Sequence, residues 1–336
     1  LPSQLLRNDT RPGGPVRFTD ITAEAAPALL KAGMVTDAIW ADLDGNQTPD
    51  LMIAGEWMPL TLLLNEQGKL RDASIGSGLE SSPGWWNRLA AADLDRDGDM
   101  DFIAGNLGLN ALCTATPREP MEIYAADFDN NQSVDPVMAI YTNNGPKGRG
   151  LYPMHTRDDL IKQLLVMRRR FPTYAGYGEA PFASLFTPEE SGLALRLRAT
   201  CMESSWVENL GTDAQGKLKF ALHALPQAAQ IAPLMGILPE DVDGDGWPDL
   251  LLIGNRFDTE VFAGRYDAFN GLVLQNDQQG GFVALPPSAT GFFVKGDARA
   301  LLALEQAGGK RLYVASQNRD SLRVFTRISP PKTPLQ

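Results

Sequence analysis

With 336 residues, 43% of them hydrophobic, the chain can bury a sizeable core, and its formal charge of −11 at pH 7 argues against nucleic-acid binding, which needs a basic stripe. No apolar run approaches a membrane span, and two cysteines exclude a disulfide framework. Two histidines, no G-x-S-x-G elbow and no Walker loop leave hydrolase triads, zinc peptidases and P-loop enzymes with little support.

In chain order, "QLLRNDT" and "VRFTDITAE" read as outer strands of a sheet whose beginning is missing. They either complete the last sheet of a ring or belong to a unit upstream in a longer parent chain; ring closure is the favoured reading, because an open ring leaves unpaired edges. Next comes "DAIWADLDGNQTPDLMIAG", in which Asp42, Asp44, Asn46 and Asp50 aim oxygens at one turn between two strands. "LTLLLNEQGKLRDAS" then supplies two more strands joined by an Asn and a Gly-containing turn. The arrangement returns in "RLAAADLDRDGDMDFIAGN" with Asp93, Asp95, Asp97 and Asp101, and in "EIYAADFDNNQSVDPVMAI" with Asp127, Asp129, Asn131 and Asp135. The third copy lacks the usual glycine, so it and the loop with Asn46 are expected to bind more weakly.

"HTRDDLIKQLLVMRRRF" reads as a helix. Thr156 and Asp159 cap it, Leu160, Leu164 and Met167 follow helical spacing, Arg168 to Arg170 suit its C-terminal dipole, and Pro172 ends it. With a second short helix in "PFASLFTPEES", it marks a helical insertion at 156–191, read as a cap in preference to a partner-binding element. A fourth copy, "DVDGDGWPDLLLIGN", carries Asp241, Asp243, Asp245 and Asp249, and "GLVLQNDQQGGFVAL" follows it. The last segment, 291–328, offers three strands and a Gln306 to Gly309 turn without a metal loop. N-terminal strand 16–22 is expected to close that segment.

Acidic and amide oxygens at this spacing, with no Cys or His beside them, suit a hard cation, and calcium accepts six to eight such ligands. An EF-hand would need Glu at the twelfth position and flanking helices; position twelve of the fourth copy is Leu252, inside an apolar run that reads as a buried strand. The unit is therefore strand, loop, strand, strand, turn, strand, and its repetition points to an all-β chain. The expected architecture is one β-propeller domain over 1–336, of about 5–7 four-stranded antiparallel blades, with the helical insertion in its middle blade. Blade segments are expected near 36–75, 86–120, 121–225, 229–286 and 291–328.

On these loops the chain resembles the FG-GAP or VCBS repeats of integrin-α-type propellers over roughly residues 16 to 327. The stretches "GEWMPLTLLLN", "GWWNRLAAADLD", "GNLGLN", "RYDAFNGLVL" and "TGFFVKGDARAL" are similar to bacterial VCBS-repeat proteins. The resemblance implies about four structural Ca²⁺, export to the extracellular space, cell surface or periplasm, and binding of an extracellular protein or glycan. Four ions would offset about eight of the negative charges.

Residues after the apolar-Gly step of each second strand recur at one structural position and are expected to line one face: Glu56, Trp57, Asn106, Asn255 and Arg256, joined by Arg265 and Tyr266. Indole, amide and guanidinium together suit sugars or peptides. The competing reading is that Trp85 and Trp86 pack between sheets and the asparagines cap turns. A non-enzymatic ligand-binding or adhesion module is the expected function. A calcium-dependent polysaccharide lyase or hydrolase is one alternative, and a structural spacer of a larger surface protein is the other. Cys113 and Cys201 read as two small buried residues in preference to a bridge.

Overall fold

The computed structural model describes residues 2–144, 147–260 and 263–327. Strands β1 (Leu6–Asn8) and β2 (Phe18–Asp20) pair as a separate two-stranded ribbon. The first large sheet is a meander of β3 (Met34–Ala41), β4 (Asp50–Met58), β5 (Thr61–Glu66) and β6 (Lys69–Asp72), with the short β7 (Gly84–Trp85) added to the end of β4. The second sheet begins with β8 (Arg88–Ala92) and β9 (Asp101–Gly105). The chain then departs into a third sheet, β10 (Met121–Ala126), β11 (Asp135–Asn143), β12 (Arg149–Pro153) and β13 (Leu195–Ala199), in the order β12-β11-β10-β13. It returns as β14 (Ser205–Thr212) and β15 (Leu218–Ala224), which complete the second sheet as β8-β9-β14-β15. A fourth sheet follows, β16 (Leu234–Glu240), β17 (Asp249–Gly254), β18 (Leu272–Asn276) and β19 (Phe282–Leu285). The fifth has three strands, β20 (Ala298–Glu305), β21 (Arg311–Gln317) and β22 (Arg323–Thr326). Strand pairing within the sheets is antiparallel throughout, so the fold is all-β and propeller-like.

The apolar runs behind the loops at 42, 93 and 241 are buried on both faces, and strand alternation decides which neighbour each residue meets. Met52 and Ala54 pack toward Phe102 and Ala104 of the second sheet, whereas Leu51 and Ile53 pack under Ala26 and Leu29 of the N-terminal segment. Ile103 joins Leu250 and Leu252 of the fourth sheet; Leu251 and Ile253 face Leu301 and Tyr313 of the fifth. The first, second, fourth and fifth sheets therefore stack in that order. Their first strands surround a cavity of about 260 Å³ lined by Asp37 to Ile39, Arg88, Leu89, Gly236, Ile237, Ala300 and Leu301. Arg88 bridges it, donating to the carbonyls of Met235 (2.9 Å) and Arg299 (3.3 Å), with Asp37 at 3.6 Å. Gly236 is required where two strands crowd: a Cβ there would lie 2.6 Å from the Ile253 side chain and 3.0 Å from the Leu301 nitrogen.

Three expectations change. The segment 121–225 is not one blade: 121–199 forms its own sheet, and 205–224 belongs with 88–105. The N-terminal strand does not join the last sheet: β2 pairs with β1, and the helical turns after it lie on the first sheet, because Ala26 and Leu29 find their apolar partners there. The helix from Thr156 is broken, with Arg157–Gln163 and Met167–Arg170 separated by Leu164 in an extended conformation. That break lets Leu160, Leu164 and Met167 all reach one core with Phe128, Val137 and Ala139, so the helices cap a face of the inserted sheet. The last segment does form the three strands read from sequence; its residue 328 lies outside the described residues.

Candidate functional site

Each acidic loop joins the first two strands of a sheet, and all four share one internal plan. The first aspartate accepts the N–H of the sixth loop residue: Gln47 to Asp42 (2.8 Å), Gly98 to Asp93 (3.2 Å), Gln132 to Asp127 (2.8 Å) and Gly246 to Asp241 (3.0 Å). Closing that turn forces the fourth and sixth residues to positive φ. Only the loop at 241 supplies glycine at both, Gly244 and Gly246, whereas the loop at 127 holds Asn130 and Gln132 there at φ 58° and 71°. The ninth residue, Asp50, Asp101, Asp135 or Asp249, is buried, and its carboxylate accepts the N–H of the second loop residue at 2.9 to 3.2 Å.

The result is four carboxylate triads, Asp42/Asp44/Asp50, Asp93/Asp95/Asp101, Asp127/Asp129/Asp135 and Asp241/Asp243/Asp249, in each of which one oxygen per residue lies within 4.8 Å of the others. The fifth-position residues stand apart: Asn46, Asp97, Asn131 and Asp245 turn an oxygen to the N–H of the residue two further on, and neither Asp97 nor Asp245 joins a triad. Asp42 Oδ1 and Asp93 Oδ1 are buried without a hydrogen-bond partner. A buried carboxylate oxygen lacking any donor is costly, and a cation among neighbouring carboxylates would remove that cost. The triads can hold a metal ion, and an all-oxygen donor set matches a hard one.

Burial pushes the Asp101 carboxyl up to about 7, and raises Asp50, Asp135 and Asp249 in the same direction. A carboxyl whose folded pKa lies above its unfolded value holds its proton more tightly when folded. In the cation-free protein its contribution is best below the unfolded value of about 4 and is lost as pH rises toward 7. In chelator, the stability lost between pH 5 and pH 8 is therefore expected to be smaller in Asp101→Asn than in the unaltered protein. Equal slopes in paired urea titrations would contradict this.

The face expected from Glu56, Trp57, Asn106, Asn255, Arg256, Arg265 and Tyr266 is only partly assembled. Asn106 and Asn255 are buried pins, not ligand groups. Asn106 accepts the N–H groups of Trp85 and Leu107 and donates to the Cys201 carbonyl, while Asn255 donates to Phe269 and Gly296 and accepts from Phe269. Trp57 is buried edge-on against Trp85 at 5.5 Å, and Trp86 is fully buried, donating to the Ser82 carbonyl. Glu56 and Arg256 form an ion pair at 3.2 Å, while Arg265 covers the Phe257 ring. Arg256 and Tyr266 do line a common pocket of about 210 Å³, together with Trp85, Leu107, Met138 and Met154. Met138 lies on β11 of the inserted sheet and Met154 directly follows its β12, a contribution that the repeat pattern could not reveal. The buried Trp85 indole nitrogen lacks a hydrogen-bond partner. Both cysteines are free thiols; Cys113 lies 3.5 Å from the Met154 sulfur, and burial pushes each thiol up to about 11.

Residues 14–104 match the family model of the FG-GAP-like repeat, a span that holds the whole first sheet, β8 and all but the last residue of β9, and the loops at 42 and 93. A search of curated proteins finds no match.

Proposed function

We propose that this chain, in which residues 14–104 match the FG-GAP-like repeat, is an exported propeller module whose four loops bind structural Ca²⁺ and whose surface binds a ligand without turning it over. The observation that carries this reading is the orphaned, buried oxygen of Asp42 and of Asp93, each inside a triad of carboxylates. Flexible all-oxygen sites of this kind suit calcium, and sites of modest affinity fill at the calcium levels found outside cells. The triads would hold the ion, and backbone carbonyls would complete its shell. When bound, Ca²⁺ supplies two positive charges to carboxylates that otherwise repel one another across a turn. The protein's own residues fix the rest, with the ninth-position aspartate tying the loop to the strand beneath it.

Ligand binding is assigned to the pocket beside Arg256 and Tyr266. The rings of Trp85 and Tyr266 with Arg256, Asp258 and Glu260 beside them favour a sugar ring or a peptide side chain, because the ring stacks while the polar groups fix orientation. On arrays of neutral and acidic glycans and of peptides, the protein is expected to retain a subset of features. Arg256→Gln, checked by its melting curve for intact folding, is expected to lower that retention about tenfold, the order of one lost charge-assisted hydrogen bond. Unchanged retention would remove the pocket from the account, and cleavage of an arrayed polysaccharide would replace the binding role with an enzymatic one.

A further inference from the structure

Three of the four loops lie on one continuous hydrogen-bonded path. At the end of β18, the Asn276 N–H donates to Asp249 Oδ1 (2.8 Å), while its side-chain amide reaches into the neighbouring loop and donates to the Leu94 carbonyl (2.8 Å). The Leu94 N–H donates to Asp101 Oδ2 (3.0 Å), and Asp101 Oδ1 accepts from the Asn209 N–H (2.8 Å). The Asn209 amide donates in turn to the Leu43 carbonyl (3.2 Å), and the Leu43 N–H donates to Asp50 Oδ2 (2.9 Å). Asp50 Oδ1 accepts from the Asn65 N–H (2.7 Å), but the Asn65 amide turns back to Pro49 of its own loop (3.0 Å) and the path ends. Every side chain from Asp50 to Asn276 on this path is buried, as are Leu43 and Leu94. The loop at 127 is different: Asp135 accepts the Phe128 N–H (3.2 Å), and among the described residues no strand asparagine links it to another loop.

We propose that Asn209 and Asn276 are positioning residues that couple the loops at 42–50, 93–101 and 241–249, so that these three take up Ca²⁺ cooperatively while the loop at 127–135 fills independently. This rests on the calcium reading above. A cation that fixes Asp249 also fixes the Asn276 backbone, its amide, and the second residue of the next loop. That next loop then has less freedom to lose when its own ion arrives, which is positive coupling through ordering. Because the path is buried, a broken link is not replaced by water and its loss is felt.

The test is calcium titration of the chelator-stripped full chain by calorimetry. The expected isotherm has one cooperative phase of three ions and a separate phase of one, with Asp127→Ala deleting only the latter. Asn276→Ala keeps the backbone N–H on Asp249 but cuts the arm to Leu94. It should still bind four ions, with one leaving the cooperative phase and its midpoint rising about fivefold or more, the lower end of typical coupling. Asn65→Ala loses a similar side-chain bond, but one that stays within its own loop, and should leave the three-ion phase intact. Four independent ions in the unaltered protein, or identical effects of Asn65→Ala and Asn276→Ala, overturn the coupling alone. No calcium heat at all overturns the calcium reading and the coupling together.

Discussion

Asp249→Ala is expected to destabilise the protein by about 3 kcal/mol in saturating calcium, because it orphans one buried and one half-buried backbone donor at about 1–3 kcal/mol each, before any metal is counted. Those donors are the N–H groups of Val242 (3.1 Å) and Asn276 (2.8 Å), one on the loop and one on the neighbouring strand. Asp249 is 1% exposed, so water cannot take its place. Asp243 is the informative contrast. It sits in the same triad but is exposed, so Asp243→Ala is expected to cost little in chelator, within about 0.5 kcal/mol as for most surface changes, and to show its loss only when calcium is present. Urea unfolding of both variants with and without calcium checks this. Equal costs in chelator would mean that Asp249 is not the anchor described.

Returning calcium to the stripped protein is expected to raise its melting temperature strongly. Each site held at a hundred times its dissociation constant adds about 2.7 kcal/mol, since the ion binds the folded loop and not the unfolded chain. At about 2.1 cal/mol/K of unfolding entropy per residue, a chain of 336 residues shifts by about 1.4 °C per kcal/mol, so two filled sites should give a rise of about 8 °C and four about 15 °C. Magnesium at the same concentration should do much less, because it holds its water tightly and demands a stricter octahedron than these flexible turns offer. A scan with calcium, magnesium and chelator separates these outcomes; equal responses to the two ions would indicate general charge screening of the acidic loops.

The loops were legible in the sequence because their spacing is the geometry: acidic residues at alternate positions, a buried aspartate at the ninth, and an apolar strand directly after it. Even the glycine-poor copy folds alike, since Asn130 and Gln132 accept the left-handed backbone that Gly244 and Gly246 take without strain. The second sheet was not legible, because a whole sheet and its helices separate β9 from β14. One signal was present: "WVENLGTDAQGKLKF" places Asn209 after an apolar-containing run and before a Gly turn, as "LTLLLNEQGKL" places Asn65 and "GLVLQNDQQGGF" places Asn276, which marks it as a third strand of the repeat. The ligand face was only partly legible, for a different reason. Asn106 and Asn255 recur at one position because the fold needs buried caps there, and recurrence alone does not distinguish a cap from a binding group.

The most direct measurement is the number of calcium ions bound by the stripped protein, read by calorimetry and checked by equilibrium dialysis. Four ions per chain are expected, with Asp127→Ala removing one of them. Binding of one ion or none at millimolar calcium would contradict this, and the repeated aspartates would then be solvated turns whose orphaned oxygens need another explanation.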